Sequence, residues 1–148
     1  MSDMIIRVLM FGAIWILGVV GGVIFTVGSA YTSGLQVLEM LLGDSVAAHL
    51  SDAYYCAGTG LVVGLVSGLM LALGMAMLFA TTNDAEQAQA NDQFRHLMSG
   101  GSGFCFAIGP MTGIMLGHIL AGSALTLVGL VVGVSGGFVW TILRGDQG

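Results

Sequence analysis

The side chains of this sequence best suited to chemistry are a histidine and two methionines at helical spacing. Met111, Met115 and His118 recur at i, i+4 and i+7, which puts two thioethers and an imidazole on one helical face. That donor set suits Cu(I) or another soft metal ion, and His49 and Cys56 fall on the same outer side of the topology derived below. Methionine is also a common filler of irregular cores, and a single histidine can hydrogen-bond a neighbouring helix. Packing is therefore the expected role, and neither a metal nor a cofactor is expected. Cys56 and Cys105 open different crossings on opposite sides. Their separation, about the membrane thickness, excludes a disulfide, whose Cα atoms must lie within about 7 Å. His96, Met98, Asp44 and Asp52 are expected to be solvated. GxSxG, HExxH, CxxC and a phosphate-cradling Gly-rich loop with lysine are all missing, so no enzyme is expected.

The elements that would position these residues are dictated by composition. The 148 residues are 56% hydrophobic and 7% charged, with a mean hydropathy of +0.97. A water-soluble domain could not hide that much apolar surface, so the chain reads as one membrane domain over 1–148. Lysine is missing, the basic residues are Arg7, Arg95 and Arg144, and the net charge is −5. Nucleic acid is excluded as a partner, because phosphate binding needs clustered positive charge. The expected partners are the lipid bilayer and other membrane subunits or further copies of the chain.

Three uncharged runs organise the sequence: Val8 to Leu38, Ala53 to Asn83 and Leu97 to Leu143. A crossing takes about 20 residues. The first run is longer than a secretory signal core, so its helix is expected to be retained. The third run, as one helix, would reach roughly 70 Å and must fold back. Four crossings are predicted, at about 6–28, 55–80, 104–121 and 124–143, with the last turn at Ala121-Gly122-Ser123-Ala124 and a bend at Pro110. An outer interfacial segment is expected over 31–54 and a cytoplasmic loop over 83–103. In that loop Asn83 and Glu86 resemble a capping box opening a short surface helix, and Gly100-Gly101-Ser102-Gly103 reads as a flexible joint. With the N-terminus inside, all three arginines are cytoplasmic, while Glu39, Asp44 and Asp52 lie outside, as in a bacterial-type inner membrane.

Glycine supplies the packing logic. Gly60, Gly64 and Gly68 share one helical face through four-residue spacing, as do Gly109, Gly113 and Gly117, and Gly129, Gly133 and Gly137; Gly18 and Gly22 with Thr26 form a partial version. In water each glycine costs a helix about 1 kcal/mol relative to alanine. In lipid such faces let backbones approach closely, gaining dispersion contacts and weak Cα–H···O bonds. The expected fold is an all-α integral membrane protein with four transmembrane helices, in two antiparallel hairpins packed through GxxxGxxxG faces. Gly60-Leu-Val-Val-Gly64 also matches Gly129-Leu-Val-Val-Gly133, a hint of tandem duplication about an axis along the membrane normal.

Small-residue hairpins of this kind resemble the proteolipid ring subunits of rotary ATPases, whose mechanism uses a mid-membrane carboxylate. Neither the second nor the fourth crossing here contains Asp or Glu, so the likeness stops at packing. Four crossings, an inside N-terminus and Gly-xxx-Gly repeats are similar to the mitochondrial inner-membrane translocase family in spacing alone. Two functions follow as expectations. One is a non-enzymatic accessory or assembly subunit of a larger membrane complex. The other is a small oligomeric channel or transporter for an ion, soft metal or small solute, with His118, Ser67 or Thr112 at its constriction.

Overall fold

A computed structural model of the chain describes residues 2–33, 53–79, 84–115 and 119–145. They form four helices: α1 (Ser2–Ser33), α2 (Ala53–Phe79), α3 (Ala85–Met115) and α4 (Ile119–Gly145). Three contain stretches long and apolar enough to cross a membrane: Ser2–Gly28 in α1, Ala57–Phe79 in α2 and Leu120–Leu143 in α4. The protein is thus a helical, multi-span membrane protein.

The helix boundaries depart from the sequence expectation in the second half. The short surface helix expected from Asp84 to about Met98 is present, but residues 100–103, expected to be a flexible joint, are helical too, so that 85–115 form one continuous helix. Glycine is tolerated there because neighbouring helices dock on it and offset its poor helix propensity. The N-terminal cap of α3 is Asp84, not Asn83: its carboxylate accepts the Glu86 amide at 3.1 Å and its carbonyl accepts the Ala88 amide at 2.9 Å. Residues 121–124, expected to turn, are helical; the join between α3 and α4 lies at 116–118, outside the described residues. Most of the expected outer segment, 34–52, also lies outside them. Pro110 is accommodated inside α3.

The pairing of helices also differs. Two antiparallel hairpins packed through their glycine faces were expected, and within the first of them α1 and α2 barely touch. The most extensive contacts join α2 to α4 and α1 to α3. Both pairs run parallel, because contact positions rise together: Gly60 meets Gly122 and Gly68 meets Gly133, while Gly18 meets Gly100 and Gly22 meets Ala107. The α2/α3 contact is antiparallel, with Ser67 at Ser102 and Gly74 at Met98. So α2, α3 and α4 form a core, and α1 is an edge helix laid on α3.

Position in this layout explains composition. Central α3 touches all three other helices and needs little hydropathy, since it faces protein. Edge α1 has the smallest buried share of its span, 11%, against 33% in α2 and 22% in α4. Its outer face, including Leu9, Ile16, Leu17 and Ile24, is exposed, as are Leu127, Val131, Val139 and Trp140 of α4. Such surfaces suit lipid. A two-fold relation between the halves would match the α2/α3 contact with an equal one between α1 and α4, and among the described residues no contact of that extent forms.

Candidate functional site

The chemistry-bearing groups that the structure describes are spent on holding helices together. In the α2/α4 seam a Cβ on Gly60 would lie 2.5 Å from the Gly122 carbonyl oxygen, and one on Gly133 would lie 2.5 Å from the Leu65 carbonyl oxygen. Gly129 meets the Leu61 carbonyl oxygen at the same 2.5 Å, Gly64 meets Thr126 and Gly129, and Gly68 meets Leu130 and Gly133. At such distances backbone rests on backbone, and no larger residue fits. Gly137 closes the seam on Ala72, and Gly109 of α3 seats the Thr126 side chain. Gly113 is buried in α3, and Gly117 lies outside the described residues.

The α1/α3 seam uses Gly18 and Gly22 on one side and residues that sequence reading missed on the other. Gly22 would place a Cβ 2.5 Å from the Phe104 carbonyl oxygen, and Gly103 sits against the Trp15 carbonyl. The partner stripe on α3 is Ser99, Gly103 and Ala107. Its four-residue spacing was legible had serine and alanine been counted with glycine as small residues.

Serines bind the seams into one unit. Ser67 donates to the Ser102 carbonyl at 2.9 Å, Ser102 donates to the Ser67 carbonyl at 3.0 Å, and Trp15 Nε1 donates to Ser102 Oγ at 3.2 Å. One hydroxyl thus ties α1, α2 and α3 together. The Trp15 ring lies 5.2 Å from that of Phe106, and Phe25 lies 5.5 Å from Phe104, distances at which aromatic pairs add stability. One turn before, Ser99 donates to the Phe11 carbonyl at 2.6 Å. Thr26, Thr112 and Thr126 donate to carbonyls four residues back in their own helices. Replacing Ser102 by alanine is expected to cost about 1–2 kcal/mol. Ser67→Ala added to it is expected to cost less than its own single effect, because the two share their bonds. Thermal unfolding of the two singles and the double in detergent checks this.

At one end the fold buries a charge. Arg95 Nη1 pairs with Asp92 Oδ1 at 3.0 Å, and its side chain is 3% exposed. Nη2 lies 3.4 Å from His96 Nε2. Helix register brings Arg7 level with Arg95, since each lies one turn before the Phe11–Ser99 bond. Arg144 falls in the last turn of α4 at the same end, because Gly74 meets Met98 and Ala72 meets Gly137. His96 and Met98, expected to be solvated, are respectively in contact with Arg95 and packed beside Gly74.

His118 and His49 lie outside the described residues, and the side chains of Met115 and Cys56 are likewise not described; Met111 and Cys105 are half-buried. Among the described residues no three His, Cys, Asp or Glu side chains come together. Comparison of the chain with known protein families, with curated proteins and with solved structures finds no match.

Proposed function

We propose that this chain acts without chemistry of its own, as an accessory or assembly subunit of a larger membrane complex. It would sit in a bacterial-type inner membrane with its arginine end cytoplasmic. One observation carries the reading: α1 is a membrane span held along a single seam, with most of its apolar surface unpaired. A span so placed offers a face to another membrane helix, and apolar faces of this kind associate by dispersion and close packing.

The hydroxyls that a pore would need at its constriction are already engaged. Ser67 and Thr112 are buried and donate to the Ser102 and Ile108 carbonyls. The orientation rests on the arginine layer, which the positive-inside tendency assigns to the cytoplasm.

The mass of the particle extracted in mild detergent tests this. A complex larger than one chain, containing a second subunit or further copies, is the expected result. A stable lone monomer extracted under conditions that preserve other membrane complexes overturns it.

A further inference from the structure

Arg95 is one atom short of a satisfied site. Its Nε is the one buried side-chain nitrogen or oxygen among the described residues with no hydrogen-bond partner. A buried donor on a charged group is costly when left unpaired. The negative charge on it is a single carboxylate, Asp92, which is 44% exposed. Neighbouring α1 adds positive charge, bringing Arg7 to the same level with exposed Asp3 one turn further out. The last turns of α2, Met75 to Phe79, carry no charge, and Asp84 and Glu86 lie two turns or more beyond Arg95 on α3.

The place is specific. Arg95, Ser99 and Ser102 follow i, i+4, i+7 on α3, and Ser99 and Ser102 bond α1 and α2. Arg95 therefore belongs to the face over which α1 and α2 stand side by side while barely touching each other. Phe11, seated on Gly74, closes this furrow on the membrane side. Residues 2–10 of α1 are all exposed, so α1 closes on α3 only from Phe11 onward and leaves its first turns open to lipid headgroups. The level is where the polar start of α3 gives way to its apolar half.

We propose that Arg95 receives the phosphate of an anionic phospholipid, with Arg7 beside it. A guanidinium matches phosphate through charge-assisted hydrogen bonds, and basic pockets between helices at the cytoplasmic face suit anionic headgroups. The proposal is independent of whether the chain belongs to a larger complex, because it is read on one chain.

The test is native mass spectrometry of the full chain from micelles containing equal phosphatidylglycerol and phosphatidylcholine. Retention of phosphatidylglycerol about tenfold over phosphatidylcholine is expected, the scale of one charge-assisted contact. Arg95→Gln is expected to bring the ratio to unity. Arg95→Lys, which keeps the charge and lacks Nε, is expected to lose most of the preference and guards against misfolding of the glutamine variant. Inorganic phosphate is expected not to displace the lipid; displacement would assign the site to a free anion and overturn the lipid. Equal retention by the wild type, or an undiminished preference in both variants, overturns the site.

Discussion

Leucine in place of Gly133 is expected to prevent assembly of the bundle. A Cβ there would lie 2.5 Å from the Leu65 carbonyl oxygen and 2.9 Å from both Gly68 Cα and the Leu69 nitrogen. All three are backbone atoms of a helix that has no rotamer with which to yield. The seam must open along its length, and α2 loses its largest contact. Overpacking a core side chain costs about 1–3 kcal/mol, and a clash with backbone falls at or above the top of that range. Against a typical stability of about 5–15 kcal/mol that is a severe loss. Gly12 and Gly58 sit in equally helical backbone with nothing within 4 Å of their Cβ positions, and leucine there is expected to change stability by about 0.5 kcal/mol or less. Unfolding in detergent, followed by near-UV circular dichroism, separates the two classes. Equal stability of Gly133→Leu and Gly12→Leu would refute the backbone-to-backbone seam.

Valine at Gly103 is expected to have a different and more local consequence. Its Cβ would collide with the Trp15 carbonyl and come within 3.0 Å of the Val19 nitrogen, and its branched side chain has few rotamers to offer on a helix. Since α1 rests almost wholly on α3, the collision lifts α1 and leaves α2, α3 and α4 in contact. Trp15 then leaves Ser102 and Phe106 for lipid. In a Trp140→Phe background the emission of Trp15 is expected to shift and its quenching by brominated lipid to rise several-fold. The α2/α4 seam is expected to survive, at a cost of about 3 kcal/mol confined to α1 docking. Loss of all tertiary signal together would show that α1 is integral to the core. Unchanged Trp15 emission would show that the α1/α3 seam is not where the coordinates place it.

The small-residue face was legible at Gly60, Gly64 and Gly68, because spacing on a helix is fixed by 3.6 residues per turn and glycine is conspicuous. At Ser99, Gly103 and Ala107 the same device was concealed by mixed composition. The polar stretch before it, with Asp84, Glu86 and Arg95, reads as a surface helix, and Gly100, Gly101 and Gly103 then made a break before the apolar half seem natural. Hydropathy measures contact with lipid, and α3 has little. Its serines find carbonyls across the seams, so its polarity is satisfied inside the protein. The buried Arg95 was likewise unreadable as such: a single arginine in a polar segment is usually solvated, and only the packing of α1 and α2 over α3 removes it from water.

Sequence alone determined that this is a helical membrane protein with spans in the first, second and last apolar runs, because lipid leaves a backbone no alternative to satisfying its own hydrogen bonds. It also determined which faces carry bare backbone. The choice of partner for each face was decided by tertiary structure, because a glycine groove accepts any helix of complementary shape at either polarity. Connectivity favoured hairpins. Close fit between α2 and α4, and between α1 and α3, brought parallel pairs together instead and turned an apparent linker into the centre of the bundle.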